Sequence, residues 1–198
     1  MSDEALLDAA VEQFVLTGVR RTSADDIARR AGVNRATLYR RLGTKDQIVA
    51  RAVLQETARV LTRIETAIGE VPPPGTDGFD PVDYVLTFFS VTVDEVRGND
   101  LLQQLMLKDR EDTLVGLTAR AGDALTLSAG LVADRIRSLR AHVGNERSGD
   151  VDAIAVTLGR LTQSLLLTPD APPRLDTRAR RRAYVEAVVV PLVLGRLP

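Results

Sequence analysis

Between Asn34 and Lys45 the chain carries Arg35, Arg40, Arg41 and Lys45 and no acidic residue. Cations spread along about three helical turns, with small, apolar and hydroxyl-bearing residues between them, suit a linear anion such as a nucleic-acid backbone. The same stretch holds the residue types that read base edges. Arg35 can donate paired hydrogen bonds to guanine O6 and N7, and Asn34 has the amide that pairs with adenine. Thr37 offers a hydroxyl to a phosphate or base and a methyl to thymine, and Tyr39 can bring a phenol to a phosphate. Lys45 on one side, and Thr22 and Ser23 on the other, stand where flanking phosphates would pass. Arg40 and Arg41 add charge, whether as contacts or as solvated side chains.

Such side chains reach a groove only if one helix presents them and others brace it. Ser23 and Asp26 have the spacing of a capping box, so a helix opens there, with Ile27, Ala28 and Ala31 as its inward stripe. Gly32 allows a sharp turn and Val33 plugs the bend. Asn34 is a good N-cap for the next helix, whose Leu38 faces the core. Ser23 and Asn34 therefore have two readings, as caps and as phosphate contacts. Upstream, Leu7, Ala10, Val11 and Phe14 predict a first helix over about residues 4–17, ended by Gly18. Downstream, Thr44 and Gln47 repeat the capping-box spacing. The fourth helix runs through Ile48, Ala52, Val60 and Ile64 to about Ile68. At 1.5 Å per residue it spans about 36 Å and is expected to join two modules.

Taken in order, DDIARRAGV, then TLYR, then the T-K-D that opens a fourth helix make residues 4 to 54 resemble the tetracycline-repressor (TetR) family. The resemblance implies an all-α fold in two parts. Residues 1–47 would form a three-helix helix-turn-helix DNA-binding domain, and residues 48–198 a helical ligand-binding and dimerisation domain. It further implies a ligand-responsive transcriptional regulator, most often a repressor, that binds a two-fold-symmetric operator as a homodimer. Tyr39 matches the tyrosine that meets a phosphate in that family. One departure stands out: an aromatic pair usually follows the TLY segment, and here Arg41-Leu42 do. Leu42 can still plug the core, whereas Arg41 puts a charge where a ring often packs.

Beyond residue 54 only helical patterning is legible. Val71 to Asp80, with three prolines and two glycines, is a loop, and Asp80-Pro81 opens a helix that stops at Gly98-Asn99. Further helices are expected over about 100–108, 113–142, 151–168 and 177–196, with loops at 143–150 and 169–176. Pro191 is expected to kink the last one. The resemblance places a dimer interface on the last two long helices. Leu158, Leu161 and Leu165 stripe one, and Val185, Val188, Val189, Leu192 and Val193 make the other too apolar to face water. Some of these positions serve intradomain core. The resemblance also implies an effector pocket, for which Tyr84, Phe88, Phe89, Leu105, Met106, Leu117, Thr162 and Gln163 are candidates that ordinary core explains equally well. No basic cluster marks that region for a strongly anionic effector, so an apolar or amphipathic compound is expected. The run Arg178, Arg180, Arg181 and Arg182 reads as a solvated face, with Arg182 and Glu186 at ion-pair spacing.

Composition excludes several classes. The chain has 198 residues and no cysteine, so disulfides and thiolate metal sites are out. The acidic start MSDEALL lacks the layout of a signal peptide, and the run Ala187 to Leu194 is too short to span a bilayer. A cytoplasmic protein without cofactor or metal is expected. A single histidine, His142, leaves little for metal triads or nucleophile relays, and no P-loop, G-x-S-x-G or H-E-x-x-H motif is present, so no enzyme is expected. Residues 18–51 carry nine Lys or Arg against three Asp, a net +6, which leaves −7 for the remainder of a chain whose total is −1. A basic module on an acidic body approaches DNA in one orientation. The alternative is a helical protein-interaction adaptor whose helix-turn-helix does not read DNA; salt-dependent DNA affinity separates the two.

Overall fold

The computed structural model describes residues 1–146, 149–168 and 171–195, and every regular element among them is helical. In chain order these are α1 (Asp3–Thr17), α2 (Ala24–Arg30), α3 (Arg35–Leu42), α4 (Lys45–Ile68), α5 (Pro81–Arg97) and α6 (Asp100–Lys108). There follow α7 (Arg110–Leu117), α8 (Gly122–His142), α9 (Val151–Leu167), α10 (Arg178–Tyr184) and α11 (Val190–Leu194). A π-helical turn over Val185–Val189 joins the last two. The starts follow the local chemistry: Ser2, Ser23, Asn34, Asn99, Asp150 and Thr177 each accept a hydrogen bond from a first-turn N–H.

Two predicted helices differ. The stretch expected as one helix over 113–142 breaks between α7 and α8, where Gly116, Thr118 and Gly122 lower helix propensity within seven residues. Thr118 leaves helical geometry there, and the Arg120 N–H turns back to the Val115 carbonyl. The last helix runs continuously but widens ahead of Pro191. That residue lacks an N–H and its ring crowds the carbonyl one turn back, so the Val190 N–H reaches five residues back to Val185. The predicted end of this helix near Arg196 lies outside the described residues, as do Arg147, Ser148, Pro169 and Asp170 in the two predicted loops.

The chain forms two compact units, one of Met1–Val60 with Arg97–Asp123, the other of Leu61–Val96 with Ala124–Pro198. The first is built around Leu6, Phe14, Ile27, Leu38, Ile48 and Leu105, which α1, α2, α3, α4 and α6 bring together. Leu105, expected near an effector, thus belongs to this core, because α6 packs its apolar face on α1. Met106 and Leu117 lie in the same unit.

In the second unit Tyr84, Val85, Phe89 and Val93 of α5 meet Ala133, Ile136 and Leu139 of α8. The inward face of the last helix completes that core. Val185, Val189 and Val193, expected at a dimer interface, are at most 5% exposed and lie in it; they recur every fourth residue and face inward together. Arg140 is buried among them. Its guanidinium donates to the carbonyls of Val193 (2.8 Å) and Leu192 (3.0 Å), and Asn145 donates to that of Leu194 (2.7 Å). A cation at a helix C-terminus satisfies carbonyls that have no intrahelical donor, at the cost of desolvation, which lowers the arginine's pKa. His142, the last residue of α8, packs edge-on against Phe79 and places Nδ1 3.0 Å from the Pro72 carbonyl. With Tyr84, whose hydroxyl donates to the Gly69 carbonyl at 3.0 Å, it pins the proline-rich loop.

Candidate nucleic-acid interface

The turn between α2 and α3 is built by sequence-local hydrogen bonds. At the start of α2 the Asp26 N–H donates to Ser23 Oγ (3.1 Å), and the Ser23 N–H and hydroxyl both donate to Asp26 Oδ2 (3.0 and 2.6 Å). These bonds, the hydroxyl's first, hold the Asp26 carboxyl below its ordinary pKa. At its end the Val33 N–H reaches the Ala28 carbonyl and the Gly32 N–H that of Arg29, with Gly32 at φ +67°. That is a Schellman closure, and it needs the left-handed residue that glycine supplies. Asn34 follows at once and accepts the Thr37 N–H at 2.7 Å.

With Leu38 and Leu42 buried, α3 turns Arg35, Ala36 and Arg40 outward, and Thr37 and Tyr39 lie half-buried beside them. Arg35 pairs with Asp25 of α2 at 3.2 Å and lies over the Tyr39 ring, 5.3 Å from its centroid. Both members of the ion pair are more than half exposed, so it contributes under about 1 kcal/mol and exchanges readily for a base edge or phosphate. The face of the ring attracts the guanidinium. Lys45, half-buried, opens α4, where Thr44 and Gln47 form the second predicted capping box.

The candidates differ in what they have left to offer. Thr22 is 2% exposed, and its hydroxyl is used between the Gly18 carbonyl (2.6 Å) and Thr17 Oγ1 (2.8 Å). It is a clasp within the α1–α2 turn, and its side chain is not placed for a phosphate. Ser23 has committed its hydroxyl proton to Asp26. Asn34 has committed its carbonyl oxygen to the cap and keeps two amide donors, which suits a phosphate better than paired recognition of adenine.

Two features escaped sequence reasoning. Arg41, the departure from the family pattern, extends to α1: it pairs with Asp3 (2.6 Å) and donates to the Met1 carbonyl (2.5 Å). Arg51 meets the other Asp3 oxygen at 2.9 Å, and this bond first, with Arg41's, lowers the Asp3 pKa. The second lies some ninety residues from the turn it holds. Lys108 donates to the carbonyls of Val15 (2.6 Å) and Leu16 (2.9 Å) at the end of α1. Buried Asp109 accepts the N–H groups of Val19 and Arg20 in the loop that leads to Ser23. No local pattern announces either; an acidic residue after a short amphipathic helix reads only as a cap.

A capped brace helix, a glycine turn and an outward-facing basic helix define a helix-turn-helix protein. The family model described as bacterial regulatory proteins, tetR family, matches residues 6–52. The HTH-type transcriptional regulator Rv2250c of Mycobacterium tuberculosis is 33% identical over 165 residues, 83% of this chain and 80% of the relative. The HTH-type transcriptional repressor Rv3405c of the same organism is 45% identical over 60 residues, 30% of this chain and 31% of that one. Among solved structures, the TetR family repressor AlkX of Dietzia superposes with a TM-score of 0.69 at 16% identity, covering 98% of this chain and 96% of AlkX. The repressor QsdR of R. erythropolis superposes at 0.62 with 20% identity, covering 98% and 96%. The chain belongs to the tetR family of bacterial regulatory proteins and is a transcriptional regulator with a helix-turn-helix.

Proposed function

We propose that the protein binds a two-fold-symmetric DNA operator as a homodimer, represses from it, and is released by a small apolar or amphipathic effector. The outward edge of α3 carries this reading: Arg35 and Arg40 are exposed, Tyr39 and Thr37 lie beside them, and no carboxylate sits in its first turn. Arg35 reads guanine, Thr37 and Tyr39 meet base or backbone, and Arg40, Lys45 and the Asn34 amide hold phosphates. Ser23 joins them if DNA displaces Asp26 from its hydroxyl. Residues 1–47 act as the DNA-reading part and 48–198 as the part that senses and dimerises, in the cytoplasm.

Dimerisation is supported by apolar side chains that a single chain leaves in water. Val188 and Leu192 of the last helix are 38% and 37% exposed, and Val156 of α9 is 43% exposed. Leu158, Leu161 and Leu165 of α9 are half-buried. Val156 joins the candidates on this ground, while Val185, Val189 and Val193 leave them. For the effector, Tyr84, Phe88, Phe89, Thr162 and Gln163 remain within one compact unit. A repressor's sign is supported by the relative that bears that name, 45% identical over 60 residues.

The test is selection of random duplexes by the purified protein, then salt-dependent affinity for the winner and a scrambled control. A palindromic winner held roughly a thousandfold or more above control at physiological salt is the expected result. A folded dimer that enriches nothing, with and without cell-extract small molecules, refutes it in favour of an adaptor.

A further inference from the structure

The end of α3 and the first turns of α4 enclose a solvent-open cleft of about 460 Å³, lined by Arg40, Arg41, Gly43, Gln47, Ala50 and Arg51. Three of these residues carry guanidinium groups and none is acidic. The cleft adjoins the surface already assigned to DNA, since Arg40 belongs to α3 and Lys45 stands between Gly43 and Gln47 in the chain. Two of the arginines are already aimed at an anion. One Asp3 carboxylate bridges them, Oδ1 to Arg41 at 2.6 Å and Oδ2 to Arg51 at 2.9 Å. A phosphodiester presents its two non-bridging oxygens in the same manner. Arg51 also donates to the Arg41 carbonyl at 3.1 Å, which ties the two arginines to each other. Arg41, Arg51 and Asp3 are 33%, 40% and 42% exposed, so the bridge sits in screened, exchangeable surroundings.

We propose that the Arg41–Arg51 fork is a phosphate site for operator DNA, outside the base-reading residues, and that Asp3 occupies it as an internal stand-in while DNA is absent. The exchange conserves charge at the fork, one singly charged anion replacing another. What Asp3 sets is the threshold: DNA must displace it, so weak, non-specific encounters gain less from this site than they otherwise would. This rests on the DNA-binding reading above, and the two fail differently.

The experiment compares wild type, Asp3→Asn, Arg51→Ala and the double variant, each confirmed as folded by circular dichroism, on the selected operator and a scrambled duplex across salt. Removing a competitor raises affinity, so Asp3→Asn is expected to bind both duplexes about three- to tenfold more tightly. Arg51→Ala is expected to weaken both and to flatten the salt slope by about 0.9, one phosphate's share, and in its background Asp3→Asn gains little. If Asp3 were only a strut that fastens α1, its loss would leave affinity flat or lower it, and that sign overturns the proposal while wild-type DNA binding stands. A wild type with no salt-dependent DNA binding overturns both readings together.

Discussion

Gly18 offers the sharpest test of how the DNA-facing helices are held. Its backbone sits at φ +81° and ψ 162°, a region open to glycine and strained for other residues by about 1–3 kcal/mol. A Cβ placed there would come within 2.4 Å of Asp109 Oδ2, the oxygen that accepts the Val19 N–H. Gly18→Ala therefore strains the turn and pushes out the carboxylate that ties α6 to it. Each hydrogen bond to a charged group contributes about 1.5–3 kcal/mol, and the Arg20 bond, at 3.4 Å, falls at the weak end. Together the two effects come to about 3–5 kcal/mol, a large share of the stability of an ordinary domain.

Urea denaturation followed by circular dichroism measures the loss, and a double-mutant cycle with Asp109→Ala divides it. In the Asp109→Ala background the carboxylate is gone, so Gly18→Ala should cost only the backbone share, about 1–3 kcal/mol. The cycle must then show a coupling of at least about 1 kcal/mol. Equal costs in both backgrounds would mean that the Asp109 carboxylate is a bystander to the Gly18 turn. Operator affinity should fall alongside stability, because the strained segment leads directly into Thr22 and Ser23 at the start of α2.

Other expectations follow from single contacts. Arg35→Ala should erase about 1–3 kcal/mol of discrimination at one operator position, while Tyr39→Phe and Lys45→Ala weaken all sequences alike; binding to a panel of single-base operator variants distinguishes these patterns. Val188→Glu or Leu192→Glu should yield monomers by sedimentation, whereas Val189→Glu should unfold the second unit instead, since that side chain is 4% exposed. Arg140→Leu strips two helix-terminal carbonyls of a buried charged donor and should cost about 3 kcal/mol in denaturation. Asp3, Asp26 and Asp176 all have lowered pKa values, so the unfolded chain binds protons before the folded one does. Their stabilisation is complete above the ordinary carboxylate range and is lost as pH falls through the depressed folded values. The thermal midpoint should therefore fall as pH drops below about 4, less so in Asp26→Asn.

What could be read from the sequence was what depends on neighbours in the chain. The capping boxes at Ser23 and Thr44 and the glycine turn at Gly32 use partners within five residues, and the burial of Ile27 and Leu38 follows helical spacing, so all were legible from spacing. The inward and outward faces of the last helix were not. Apolar character is the same at Val185, Val188, Val189 and Leu192, and only the packing of that helix, with its π turn before Pro191, divides them into core and surface. Leu105 was misplaced for a related reason: periodicity shows that α6 has an apolar face and not which helix receives it. The charged residues paired across the DNA head were the least legible. Asp3 with Arg41 and Arg51, and Lys108 with Asp109, are charged side chains whose partners lie about forty to ninety residues away, and in sequence they resemble solvated surface. In this fold the base-reading groups on α3 are therefore specified locally, while the charged pairs that join α1, α3, α4 and α6 are specified by tertiary contact. Substitutions at Arg35 or Lys45 should accordingly change what is bound. Substitutions at Gly18 or Asp109 should change how firmly the head is held, for every sequence alike.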